Sequence, residues 1–246
     1  MPTEKLVTTA SLSSIRKSSD PNLSMTNLQP IKMLWKEIDT VLLDMDGTLL
    51  DLHFDNYFWA YLVPEHYSKQ NNLSLTRSKD IIVRWMADVQ GTLDWYCIDY
   101  WDNKLNFDVI KLKRKVQKKI RFRPNALKFL EILKKKNKRI ILATNAHPRA
   151  MELKFLNVDF SSYFDEISSS HELGYPKELQ KYWKRLRERY EFSPESSLFI
   201  DDSQRILASA DKFGIGYLLG IKEPDSKREP IDCSAYTGIQ DFSQLF

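Results

Sequence analysis

A chain of 246 residues with 42% apolar, 28% charged and 12% aromatic residues can fill one large domain, or one and a half, which excludes a wholly disordered or collagen-like chain. Its formal charge of +4 is too mild to name a partner, no stretch approaches the ~18 unbroken apolar residues of a bilayer span, and the start lacks the apolar middle of a signal peptide. Two cysteines, Cys97 and Cys233, with no CxxC spacing suggest neither a disulfide framework nor a zinc site, so a soluble cytoplasmic protein is expected.

Residues 1–30 come first and differ from all that follows. Ten of the thirty are Ser or Thr, with no periodicity, so a disordered extension is expected. Arg16 and Lys17 among serines would suit a transit peptide, but Glu4 and Asp20 argue against one; a natural start at Met25 or Met33 is the plainer explanation. Next comes Val41-Leu42-Leu43, a short apolar run ending in acidic residues. Further runs lie at 139–143, 197–200 and 216–219, with a weaker candidate around Ile167. Such runs without polar alternation suit strands buried on both faces of a parallel sheet.

Helices are predicted between them. Leu127, Leu130 and Leu133 mark one after Pro124. Leu179, Tyr182, Trp183, Leu186 and Tyr190 form a stripe on another, opened by Lys177. Ser203 would cap a third, with Ile206, Leu207 and Ala210 inward and Gly214 ending it. The predicted fold class is α/β, with a doubly wound, mostly parallel sheet in a Rossmann-like core. The interval from Asp46 to Thr144 is about three times that from Thr144 to Lys177, too long for one crossover helix. It is rich in Trp, Tyr and Phe and carries helical patterns such as Ile81, Ile82, Trp85, Met86 and Val89. The expected organisation is a core of residues 31–50 and 122–246 with a helical domain inserted at 51–121. Within the insertion the aromatics read mainly as its own core. The basic run at 111–123 reads as a solvated helix face, since no stacking aromatics or nucleic-acid motif accompany it.

The strand ends carry the chemistry. The first delivers Asp44-Met-Asp46-Gly47-Thr48, the second Thr144-Asn145, and a later one Asp201-Asp202. In an open parallel sheet ligands bind beyond these carboxyl ends. Four converging carboxylates repel, at about 4 kcal/mol per pair ~4 Å apart, and a hard divalent cation, Mg2+, would relieve that. An Asp beside the ion can attack phosphorus, and a second Asp two residues on can move the leaving-group proton. A fixed Lys, a hydroxyl and backbone amides freed by Gly47 would surround the phosphoryl oxygens.

These residues, in this order, resemble the four motifs of the haloacid dehalogenase superfamily over about residues 38–222, and the insertion resembles its C1-type helical cap. The resemblance implies Asp44 as nucleophile and Asp46 as acid/base, whose backbone carbonyl also binds Mg2+. It implies Thr144, Asn145 and Lys177 as phosphate ligands, and Asp202 as metal ligand supported by Asp201, in an order the Asp-Asp pair leaves open. Residues 39–51, 55–59, 95–101, 144–148 and 174–177 further resemble the bacterial GMP/IMP 5′-nucleotidase subgroup. The resulting expectation is a Mg2+-dependent phosphomonoesterase for a purine nucleotide, without nucleic-acid or membrane partners, working as a monomer or small homo-oligomer. The alternatives are a phosphatase or phosphomutase for a small sugar or acid phosphate, and a catalytically silent nucleic-acid-binding protein. His147 before Pro148 is expected to shape a helix start, and His53, His66 and His171 show no ligand spacing.

Overall fold

The computed structural model describes residues 35–246; the expected disordered extension lies outside them. The apolar runs form a six-stranded, wholly parallel sheet of β1 (Thr40–Leu43), β2 (Arg139–Thr144), β3 (Glu166–Ser169), β4 (Ser197–Asp201), β5 (Tyr217–Ile221) and β6 (Gly238–Ile239), in the order β3-β2-β1-β4-β5-β6. Five strands fall on the predicted runs. The sixth is two residues long and leaves no pattern in a sequence.

Residue alternation divides the strands between two cores. Val41, Leu43, Ile140, Leu142, Leu198 and Ile200 enter one cluster, while Leu42, Ile141, Ala143, Phe199 and Leu218 enter the other. Each such Val, Leu, Ile or Phe side chain contributes about 1.5–3 kcal/mol on burial. Both faces must therefore be covered, as a doubly wound sheet requires.

The segment after β1 is helical. α1 (His53–Tyr57) passes through a π-helical turn (Phe58–Leu62) into α2 (Val63–Asn71), followed by α3 (Leu75–Val89), α4 (Leu93–Tyr96), α5 (Ile98–Leu105) and α6 (Val109–Arg114). These helices share an apolar cluster of their own, including Phe58, Val63, Ile82, Ile98, Trp101, Leu105 and Val109. Its entry and exit run side by side: Leu50 bridges Phe122, and Asp51 N–H donates to the Arg121 carbonyl at 2.9 Å. The sheet is then covered by α7 (Ala126–Lys135), α8 (Pro148–Asn157), α9 (Ser170–Leu173), α10 (Gln180–Tyr190) and α11 (Gln204–Phe213). Gly214 ends α11 at φ 100°, as expected.

Three local expectations need correction. α10 starts at Gln180, so Lys177 stands in the preceding turn rather than opening the helix, and Leu179, 45% exposed, is outside the buried stripe. The Ser203 side chain caps nothing; instead its N–H donates to Asp201 Oδ1 at 2.8 Å. The basic run is not a uniformly solvated face, because Lys113 and Arg123 are buried. Lys113 finds a carboxylate, and Arg123 donates to the carbonyls of Thr48, Glu223 and Gln240. Burial of a charge is tolerated where such partners exist.

Candidate active site

The strand order reverses between β1 and β4, and in such a sheet a crevice opens at that switch point. The register Leu43 to Ile200 brings Asp44 level with Asp201 just beyond it. Lys177 reaches in beneath both. Its ammonium donates to Asp44 Oδ1 at 2.5 Å, Asp201 Oδ2 at 2.7 Å and the Ala143 carbonyl at 3.0 Å. Lys177 is 1% exposed. Burial opposes its charge, but Asp201 and Asp44 outweigh that and hold its pKa well above the ordinary lysine value.

A second buried lysine stands opposite. Lys154 of α8 donates to Asp46 Oδ1 at 2.5 Å and to Asp55 Oδ2 at 2.8 Å, and Lys113 donates to Asp55 Oδ1 at 2.5 Å. Burial disfavours the Asp55 anion, yet Lys113 and Lys154 prevail and keep its pKa far below the usual carboxylate range. Asp44 and Asp46 behave differently. Burial lifts each to about 6 in spite of its lysine.

Asp202 has a different setting from its neighbour Asp201. Asp201 is fully buried and held by Lys177 and the Ser203 N–H. The Asp202 carboxylate accepts no hydrogen bond from another residue's side chain among the described residues, and burial with Asp201 and Asp44 nearby raises its pKa well above the usual value. It lies over Gly47, where a Cβ would come within 2.5 Å of Asp202 Oδ2; Gly47 also has φ +81°. Both facts favour glycine there.

Charge decides whether a cation fits. The ion-paired group with Asp202 holds five carboxylates (Asp44, Asp46, Asp55, Asp201, Asp202) and three ammoniums (Lys113, Lys154, Lys177). With all eight ionised, two negative charges remain, which one divalent cation would neutralise. The available donors are oxygens, so a hard ion suits them.

Thr144 is buried at the end of β2, with Oγ1 accepting the Ala146 N–H at 3.1 Å. The Asn145 side chain is occupied by protein. Its Oδ1 accepts the Lys177 N–H at 2.9 Å and its Nδ2 donates to Glu178 Oε2 at 3.1 Å, so it positions the lysine turn. Glu178 also accepts from Tyr96 Oη at 2.8 Å, joining this turn to the helical insertion.

A cavity of about 600 Å³ adjoins two of these carboxylates. Asp46, Asp55 and Lys154 contribute to its lining. Trp59, Tyr61, Trp95, Tyr96 and Trp101 line its walls, with Asn56, Lys79 and Arg228 as polar groups. Tyr67, Trp85 and Tyr100 pack within the insertion instead. A family model described as haloacid dehalogenase-like hydrolase matches residues 38–214.

The chain belongs to the haloacid dehalogenase-like hydrolases. It is similar to a protein of Escherichia coli (strain K12) named GMP/IMP nucleotidase YrfG, 40% identical over 215 residues, which are 87% of this chain and 97% of that protein. A Thermotoga maritima protein named phosphorylated carbohydrates phosphatase is 25% identical over 189 residues, 75% of this chain and 85% of the relative. The crystal structure of a phosphatase of the family from Thermococcus onnurineus superposes with a TM-score of 0.70 at 18% identity, covering 85% of this chain and 96% of that one, and shares its fold. As a haloacid dehalogenase-like hydrolase, the protein is an enzyme. No helix of the described residues is long and apolar enough to cross a membrane.

Sequence reasoning brought Asp44, Asp46, Thr144, Asn145, Lys177, Asp201 and Asp202 to one crevice, and there they lie. It missed Lys154, Asp55 and Lys113. No local pattern marks them: Lys154 shares the buried face of α8 with Ala150, Met151 and Leu153 only because the fold brings Asp46 and Asp55 to it.

Proposed function

We propose that the protein is a Mg2+-dependent phosphomonoesterase that hydrolyses purine nucleoside 5′-monophosphates, GMP or IMP, through an aspartyl phosphate on Asp44. The observation that carries this reading is the continuity of one cavity from Asp46 and Lys154 to Trp59, Trp95 and Tyr96. A phosphate beside Asp46 and Lys154 leaves a nucleoside among flat apolar rings. Base–aromatic stacking is worth about 1–3 kcal/mol. The similarity to a protein named GMP/IMP nucleotidase supports the same substrate class.

Asp44 Oδ attacks phosphorus as the bond to the nucleoside 5′-oxygen breaks, and Asp46 gives its proton to that oxygen. In the second step Asp46, now a carboxylate, takes a proton from water. The water oxygen bonds to phosphorus, the Asp44–phosphorus bond breaks, and inorganic phosphate leaves. A pKa near 6 suits a residue that must both give and take a proton near neutral pH. Lys177 and Thr144 would offset phosphoryl charge. Asp44, the Asp46 carbonyl and Asp202 would hold Mg2+, which supplies charge neutralisation at the phosphoryl oxygens. Asp201 would act through Lys177.

In this reading residues 51–121 are a cap that excludes water over a core of residues 31–50 and 122–246. The activity needs neither nucleic acid nor membrane and suits a cytoplasmic monomer or small homo-oligomer. The test is phosphate release over a metabolite panel with Mg2+. GMP or IMP should exceed pyrimidine monophosphates and sugar phosphates in kcat/KM by at least ~10-fold, the worth of one stacked base. A preference for sugar phosphates, or a flat profile, would overturn the nucleotide reading.

A further inference from the structure

Cys97, His147 and His171 have no metal-motif spacing in the sequence, but the fold gathers them. One donor atom from each lies within 4.8 Å of the other two. They come from three places: Cys97 joins α4 to α5 in the helical insertion, His147 caps α8, and His171 is in α9. The two imidazole rings stand edge to face, 4.7 Å between centroids. Both ring nitrogens of His171 are buried without a hydrogen-bond partner. That arrangement is unfavourable for a polar group unless something else engages it. Asp99 Oδ2 lies 3.5 Å from His147 Nε2, the position a carboxylate takes behind a ligating imidazole.

We propose that Cys97, His147 and His171 form a second metal site, for a borderline-soft divalent cation such as Zn2+, and that the ion fastens the helical insertion to the sheet. One thiolate and two imidazoles select such an ion, whereas the carboxylate crevice selects a hard one. The centre of a triangle with 4.8 Å edges is ~2.8 Å from each corner, so small side-chain rotations reach the ~2.0–2.3 Å of Zn–N and Zn–S bonds. Little is given up on binding. Ligating through Nδ1, His147 exchanges a 3.3 Å bond from the Arg149 N–H and keeps Nε2 toward Asp99. Burial, with His147 alongside, pushes the His171 imidazole down to about 4, so its lone pair is available at neutral pH. Cys97 releases its thiol proton to solvent as the metal–sulfur bond forms, and water completes the tetrahedron. Tyr96 and Ile98, which flank Cys97, line the substrate cavity, so the ion would fix one of its walls.

Co2+ serves as the probe, titrated into the full chain with Mg2+ in excess to occupy the carboxylate crevice. One equivalent should produce a thiolate-to-cobalt charge-transfer band in the near ultraviolet and intense tetrahedral bands in the visible. Oxygen ligands at the crevice give neither. Cys97→Ser and His171→Leu should each abolish the spectrum while retaining turnover with Mg2+. Both should fold: Ser accepts the Tyr100 N–H at the α5 cap at least as well as the thiol does, and Leu replaces a ring that bonds nothing. Zn2+ should raise the melting temperature of the native chain and of neither variant. No charge-transfer band in the native chain, or one that survives His171→Leu, would overturn the site. An unchanged melting temperature with the ion bound would overturn the fastening.

Discussion

Two buried lysines face each other across the crevice, each bridging two carboxylates, and they differ in what they join. Lys177 binds Asp44 and Asp201, both at ends of strands in the same sheet, and the Ala143 carbonyl of a third strand. Lys154 binds Asp46 in the loop after β1 and Asp55 in α1 of the insertion. The first ties the sheet to itself and fixes a nucleophile in place. The second makes the proton environment of Asp46 depend on where the insertion sits. A rigid anchor and a position-dependent one thus flank the same phosphate site. Any movement of α1 that carries Asp55 away leaves Lys154 wholly to Asp46.

The largest effect should come from Lys177→Met. It strands two buried carboxylates, and breaking a buried pair in this way costs about 3–5 kcal/mol. Thermal melting should fall accordingly, and kcat should drop by ~10² or more as phosphoryl charge loses its partner. A variant with native melting and turnover would remove the anchor from the comparison.

Lys154→Met should cost less stability, because Asp55 keeps Lys113. Its signature lies in the pH profile. Lys154 lowers the Asp46 pKa, so losing it raises that pKa, and the limb of kcat governed by Asp46 should move to higher pH, with kcat down by ~10² at neutrality. Lys154→Arg should recover part of the loss. An unmoved profile would mean that Lys154 only packs.

Mg2+ affinity should weaken in acid. Burial lifts the Asp44 pKa to about 6 and raises that of Asp202 well above the usual carboxylate value in the cation-free protein. A cation binding to these two carboxylates in acid must displace their protons. Calorimetric titration should therefore show Kd rising, and proton release growing, as pH falls from about 7 to about 5. Flat affinity across that range would contradict the buried, protonatable pair.

Lys113→Met should do least. Asp55 keeps Lys154, so turnover should fall less than ~10-fold with a modest loss in melting temperature. A loss equal to that of Lys154→Met would make the Lys113–Asp55–Lys154–Asp46 ion-pair chain a single unit rather than an anchor with a support.

The same contrast explains what was legible in the sequence. Asp44, Asp46 and Asp201-Asp202 follow apolar runs directly, and a strand end is a local event that a short window contains. Lys177 was readable because of its place in order between two such ends. Lys154 and Lys113 were not. A lysine on an amphipathic helix or inside a basic run looks solvated until a carboxylate from a distant segment is placed beside it, and that placement is tertiary. The cavity aromatics divide for the same reason: Trp59 and Trp85 are equivalent in sequence, yet the former reaches the cavity and the latter packs on Tyr67. Cys97, His147 and His171 are the extreme case, where spacing argued against any shared role.

The paired linkers at Leu50 and Phe122 bear on the order in which the chain folds. β1 must find β2 across the whole insertion, a closure whose entropic cost grows with the length of the intervening loop. If the helical cluster around Ile82, Trp101 and Val109 forms first, from contacts close in sequence, it brings residues 50 and 122 together. The two strands then meet over a short connection, and a long-range search becomes a local one. Pulse-labelling during refolding should accordingly protect amides of α3 and α5 before those of β1, and simultaneous protection would show that the sheet closes without that help.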